Sequence, residues 1–492
     1  MDRKELASKI WTACDKMRRD DGTTGVQDYM EQLSWLIFLK VFEDIEKRLE
    51  EQAKFEDKDY HPIIDLKYRW SSWAKLDWSG VQAEKLIKFI NDDLFPYLRE
   101  LSGTAEKETI STIFKELAGN KMKSPFNLKD VIKLIDDIDF NNPDDSHVVS
   151  QVYEELLLRM GKEGGVAGEF YTPRPIVRLI VKIVNPRIGE IILDPFCGSG
   201  GFLAESFLRM KESKEITVDE YETLQKKTFF GQEKKPFPYL LGVMNCILHG
   251  LLTPNIIRKN TLENDIRHIP ESERFDIVMT NPPFGGKEGE QIQQNFPVQS
   301  QATELLALQY VMKKLRLNGK CGIVVPEGML FRGDTFAQVK RELLENFNLH
   351  TIVSLPAGVF ANVTSSGQGP KTNLLFFDKT GPTKEIWYYE HTLPEDKKYT
   401  KVNMVTDKDL QDCFEKQKNR AVSEKSWIVR IEDIDKKDLD LSAKNPARRE
   451  EAEYKTPSEL VSDIIEREKT ILEIAEELQN LLGTNDATRN GS

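Results

Sequence analysis

The residues Thr280-Asn281-Pro282-Pro283-Phe284, followed by Gly285 and Gly286, come directly after the apolar run FDIVM. Two consecutive prolines stiffen the backbone and remove two amide donors, which leaves the Asn281 side-chain oxygen and the Pro282 carbonyl as acceptors. A pair of fixed acceptors suits an amino group. As an aromatic amine attacks an electrophile its nitrogen becomes tetrahedral and its hydrogens more acidic, so acceptors held in place favour the transition state over the ground state. Phe284 can stack on the ring that carries the amine. An ordinary Asn-Pro turn ending a strand accounts for two of these residues but not for the four together.

A second group lies earlier in the chain. The run IILDP leads through Phe196, Cys197, Gly198, Ser199, Gly200 and Gly201 into a helical pattern. Glycines permit a tight turn and close backbone approach, and a helix N-terminus presents free amides. The pattern is not GxGxxG, and the next acid at a strand end, Glu233, lies well beyond the roughly 20 positions of the dinucleotide fingerprint. A nicotinamide cofactor is therefore disfavoured. Glu233 can accept from the two vicinal hydroxyls of a ribose, and it can equally be a solvated acid capping the helix before Pro236. Ahead of the glycine turn, Glu169-Phe170-Tyr171-Thr172-Pro173-Arg174 is an irregular segment entering a helix with proline in its first turn.

These groups need a scaffold that sets several strand ends side by side. From Val148 onward, short Ile/Val/Leu runs (IILDP, TFFGQE, FDIVMTNPP, CGIVVPEG, HTIVSLP, NLLFF) alternate with helical stretches (PIVRLIVKIV, FLAESFLRM, YLLGVMNCILHG, TELLALQYVMKKL, TFAQVKRELLENF). The alternation predicts an α/β domain: a mostly parallel sheet with helices on both faces, whose ligands bind beyond the carboxyl ends of the strands. Residues 1–147 carry helical periodicity, with a greasy central helix around SWLIFLKVFEDIEKRL. We expect a helical domain over 1–147, the sheet domain over 148–396, a charged connector without strand periodicity over 397–455, and a last helix over 456–492. That helix opens with a capping box, Thr456, Pro457 and Glu459, and stops at Gly483. Its heptad seam, Val461, Ile464, Ile471, Ala475, Leu478 and Leu482, is broken at Glu468, and suits either its own domain or a partner helix. The stretch 286–301, rich in Gly, Gln and charge, reads as a mobile loop that orders on nucleic acid or as a passive surface loop.

The 492 residues are 39% hydrophobic and 30% charged, enough apolar material for real cores. The net charge is −12, which makes the chain a poor non-specific binder of polyanions by itself. Its five cysteines are scattered, with no CxxC pair and no histidine at ligand spacing, so neither a disulfide framework nor a metal site is expected. No signal peptide or membrane-length apolar run is apparent, and a cytoplasmic protein is expected.

In the order FYTP, DPFCGSG, strand-end Glu and NPPF, the sequence resembles the DNA adenine-N6 methyltransferases. With the helical N-terminal region and the C-terminal helix added, nearly the whole chain resembles the modification subunit (HsdM) of type I restriction-modification systems. The resemblance implies S-adenosyl-L-methionine as cofactor. Glu169, Phe170, Tyr171, Thr172, Pro173 and Arg174, with Ser199, Gly200 and Gly201, would contact its methionine part. Glu233 would contact its ribose, and Asp194 would order the glycine loop. Asn281, Pro282 and Phe284 would hold an adenine flipped out of duplex DNA. Where such enzymes often carry an Asp near the cofactor's adenine, this chain offers Asn260, and Phe360 is the nearest aromatic for a second contact to the target base. Implied partners are a DNA-reading specificity subunit, a second copy of this chain and a restriction/translocase subunit. The rival readings are an NPPF-type methylase acting on RNA or on a protein glutamine, and a non-catalytic partner that binds the cofactor as a structural ligand.

Overall fold

The computed structural model describes residues 3–78, 82–138, 140, 171–212, 215–361, 369–394, 397–400, 403–447 and scattered positions from 461 to 475. The expected boundary at 147/148, the residues Glu169 and Phe170, and most of the C-terminal helix therefore lie outside the described residues. The chain divides into two units, Met1–Asn445 and Pro446–Ser492.

In the first unit, the helix Val26–Phe55 is the centre of the N-terminal region. Every side chain from Tyr29 to Leu39 is buried, polar ones included, as its apolar character on most sides requires. The buried Gln32 finds partners all the same: it accepts from the Lys121 amide at 3.1 Å and donates to the Gly119 carbonyl at 3.0 Å. The helix Arg3–Arg18 buries Leu6, Ile10, Cys14 and Met17, the three-and-four spacing of one helical face.

Among the described residues, nine strands form one sheet: β1 (Ile192–Asp194), β2 (Phe229–Glu233), β3 (Asn255–Arg258), β4 (Phe275–Thr280), β5 (Leu315–Pro326), β6 (Asn348–Leu355), β7 (Thr372–Asp378), β8 (Glu385–Glu390) and β9 (Ser426–Arg430). Their order is β3-β2-β1-β4-β5-β7-β6-β8-β9. The pairs from β3 to β5 are parallel, as expected. β7, however, is antiparallel to both β5 and β6, and β9 is antiparallel to β8. Side chains alternate between two cores, as the period of two demands. Ile192, Ile277, Met279 and Val324 face the core shared with the helices Arg174–Val184, Gly201–Glu212 and Pro236–Leu248. Leu193, Val278, Ile323 and Val325 face the core shared with Thr303–Lys314 and Thr335–Asn346.

The stretch beginning at Lys397 corrects the expectation of a connector without strand periodicity. It carries the capped helix Asp407–Asn419, which packs against Arg174–Val184, and β9, which extends the sheet. Among the described residues, no helix is long and apolar enough to cross a membrane.

Candidate active site

The carboxyl ends of β1, β2 and β4 meet at one place, each bringing one expected group. β1 ends in Asp194, which is 1% exposed, and its Oδ1 accepts from the Phe196 amide at 3.3 Å and from the Thr280 hydroxyl at 2.7 Å. Burial pushes its carboxyl up to about 7; those two hydrogen bonds act against the rise, and the Glu233 charge adds to it. Asp194 thus fixes the start of the glycine turn and the end of β4 together.

Within the turn, Gly198 and Gly200 have φ of +47° and +71°, the left-handed region that favours glycine. A Cβ on Gly200 would also sit 2.9 Å from the Gly242 carbonyl oxygen, and one on Gly242 would sit 2.7 Å from that of Gly198. The helix Pro236–Leu248 therefore presses directly on the turn, and the Val26–Phe55 helix packs on that same helix. The amide of Asn245 donates to the Ser199 carbonyl at 2.7 Å. The helix Gly201–Glu212 begins where the turn ends, so its first amides open onto the strand ends.

β2 ends in Glu233, whose Oε2 accepts from the Gly198 amide at 3.1 Å and whose Oε1 accepts from the Lys235 amide at 2.8 Å. Burial raises its carboxyl above the ordinary range, while the amides of Lys235, Gly198 and Lys234 pull it down. It is both an anchor of the glycine turn and part of the wall of a cavity of about 250 Å³. Phe196, Asn260, Thr261, Pro283 and Phe284 line the same cavity.

β4 delivers the NPPF group. Pro282 is buried, and Phe284 meets the buried Phe360 edge-on, ring centres 6.4 Å apart. Asn281 donates from Nδ2 to the Thr172 hydroxyl at 2.9 Å. Its Oδ1 is buried and has no hydrogen-bond partner. A buried acceptor left open costs free energy until a donor reaches it.

Of the segment before the glycine turn, Tyr171 and Thr172 are described, and Pro173 caps the helix Arg174–Val184. Arg174 is 5% exposed and committed inside the protein. Its guanidinium lies 3.4 Å from the Gly201 carbonyl, 3.4 Å from the Asn245 side-chain oxygen and 3.6 Å from Glu205. Asn260 lines the cavity while its Oδ1 caps the Leu262 amide at 3.3 Å. The loop after NPPF is not free-standing. Lys287 bridges to Ala302, the Thr303 hydroxyl donates to Glu288 at 2.9 Å, and Asn295 donates to the carbonyls of Leu262 and Glu263.

Sequence reasoning missed Gln232, Lys234, Glu288 and Thr303 as cavity-lining residues. The Lys-Lys pair after Glu233 was visible. Glu288 and Thr303 were not, because only the closure of the loop carries them to the wall.

Comparison with known proteins places the chain in a family. Residues 6–135 match the family described as HsdM N-terminal domain, and residues 144–455 match N-6 DNA Methylase. The chain is 37% identical over 99% of both lengths to the Type I restriction enzyme EcoEI methylase subunit of Escherichia coli. It is 31% identical to the StySPI methylase subunit of Salmonella potsdam, covering 79% of this chain and 72% of that one. Among solved structures, a modification subunit of a putative type I restriction enzyme from Vibrio vulnificus YJ016 superposes with a TM-score of 0.82 at 39% identity, covering 91% of this chain and 97% of that one. A chain from a type I R-M system, solved in a study of its complex assembly and conformational transition, superposes at 0.73 with 50% identity, covering 98% and 99%. The chain belongs to the N-6 DNA methylase family, among the methylase subunits of type I restriction-modification systems.

Proposed function

We propose that the chain transfers a methyl group from S-adenosyl-L-methionine to the N6 amine of an adenine flipped out of duplex DNA, at a sequence chosen by a partner. The observation that carries this reading is the buried Asn281 Oδ1 without a partner, at a strand end beside Phe284. An exocyclic amine satisfies that acceptor with its own N–H, and the bond strengthens as the amine turns tetrahedral. Phe284 offers a ring face for stacking the extruded base.

The residues present also fit the cofactor. The glycines let the turn pack tightly on the helix Pro236–Leu248, the amides at the start of Gly201–Glu212 suit a carboxylate, and Glu233 on the cavity wall suits vicinal hydroxyls. Bound there, the sulfonium group supplies an electrophilic methyl. Ser199, Gly200 and Gly201 would orient the methionine end, with Tyr171 and Pro173 beside them and Arg174 and Asp194 holding the turn, while the Thr172 hydroxyl is engaged by Asn281. Asn281 and Pro282 hold the attacking amine, and the proton released from it passes to solvent. No covalent enzyme intermediate and no metal are part of this scheme.

A net charge of −12 supports recruitment to DNA by another subunit. We assign that role to a DNA-reading specificity subunit bound to two copies of this chain, with a restriction/translocase subunit added for cleavage. The last helix supports the docking role: at the described positions it is helical, and these include Val461, Ile471 and Ala475 of its apolar seam. Incorporation of labelled methyl groups tests the reading, with DNA, RNA and protein offered separately to the chain co-expressed with its specificity subunit. Label in adenine N6 of DNA is expected. Label in RNA or protein alone, or in nothing, overturns it.

A further inference from the structure

The amide of Asn281 can serve as an acceptor only if its oxygen, and not its NH2, faces the amine. The terminal torsion of an asparagine is broad and roughly two-fold, so the side chain does not settle its own orientation. With NH2 turned inward, donor would meet donor. Asn281 Oδ1 has no partner to hold it. The hydrogen bond described for this side chain is the one from Nδ2 to the Thr172 hydroxyl, 2.9 Å long. Thr172 stands just ahead of the helix Arg174–Val184, in a different part of the sequence from β4. The next two residues brace it: Pro173 caps that helix, and Arg174 is tied to Gly201, Asn245 and Glu205.

We propose that Thr172 is a positioning residue for the amine acceptor: its hydroxyl accepts from Asn281 Nδ2 and fixes the amide plane, so that a substrate amine, itself a donor, meets Oδ1 as the end left open. This rests on the amine-acceptor reading of Asn281. It differs from a role for Thr172 in holding the cofactor, because it places the effect of Thr172 on turnover and not on cofactor affinity.

The test compares Thr172→Val, which keeps the shape and removes the acceptor, with Thr172→Ser, which keeps the hydroxyl. Both are measured in the complex with the specificity subunit, by single-turnover methyl transfer to DNA and by calorimetry of cofactor binding. Thr172→Val is expected to slow transfer about ten- to a hundredfold, less than the roughly 10²–10³ caused by outright loss of a stabilising group. Its cofactor dissociation constant should stay within about twofold of wild type and its KM for DNA should be unchanged, the pattern of a contact that matters in the transition state. Thr172→Ser should recover most of the rate. Wild-type transfer by Thr172→Val overturns the inference, as does a rate loss matched by lost cofactor affinity, or a serine variant as slow as the valine one. Should the valine variant fail to fold, Thr172→Ala is held to the same criteria. Asn281→Ala run alongside separates the two levels: if it stays active the amine-acceptor reading itself falls, and if it is inactive while Thr172→Val is normal, only the role of Thr172 falls.

Discussion

The hydroxyl of Thr280 donates to Oδ1 of Asp194 across 2.7 Å, joining the strand end that carries the glycine turn to the strand end that carries Asn281. The same oxygen accepts from Phe196. The strand end that carries Asn281 and the glycine turn therefore share one buried carboxylate.

That carboxylate gives the fold a pH dependence of definite sign. Burial raises the Asp194 carboxyl from 3.8 to about 7, so between those values the folded chain binds a proton that the unfolded chain does not. Stability from this group is therefore highest at low pH and is lost as pH rises through that window, by about 4 kcal/mol at most. Urea unfolding of the full chain should show wild type losing stability relative to Asp194→Asn between about pH 4 and 7. Parallel curves for the two proteins would remove Asp194 as the source.

Glu233 holds the glycine turn through Gly198 and lines the cavity. Glu233→Ala removes both roles. Each charge-assisted hydrogen bond is worth about 1.5–3 kcal/mol, so affinity for S-adenosyl-L-methionine should fall by at least about tenfold. Calorimetry on the full chain measures this directly, and an unchanged dissociation constant would take Glu233 out of the cofactor site.

The docking role given to the last helix predicts a clean separation of functions. Truncation before Thr456 should leave cofactor binding intact while abolishing both assembly with the specificity subunit and DNA methylation. Size-exclusion chromatography of the co-expressed proteins reads the first, and a truncated chain that still co-elutes and methylates would contradict it.

Much of this architecture is written locally in the sequence. The buried runs of β1, β2, β4, β5, β6 and β7 stand out because both faces of the sheet are covered and each strand contains a short apolar run. β9 is different: it lies at the sheet edge, buries only Ser426 and Trp427 fully, and sits amid charged residues, so neither alternation nor an apolar run announces it. β3, at the other edge, buries Ile256 and exposes Ile257 and Arg258. The rigid Asn281-Pro282-Pro283-Phe284 group was legible because its chemistry is contiguous. The bond from Asn281 to Thr172, the burial of Arg174 behind the turn and the closure of the loop at Glu288 were not, since each joins residues far apart in the chain and exists only after the sheet has formed.

The central claim is that Asn281 acts on the amine and not on the cofactor. Single-turnover methyl transfer to DNA by Asn281→Ala, in the complex and with cofactor affinity measured on the same preparation, tests it most directly. The account predicts a rate reduced by at least about 10²–10³, with cofactor binding nearly unchanged. Transfer at the wild-type rate would contradict it.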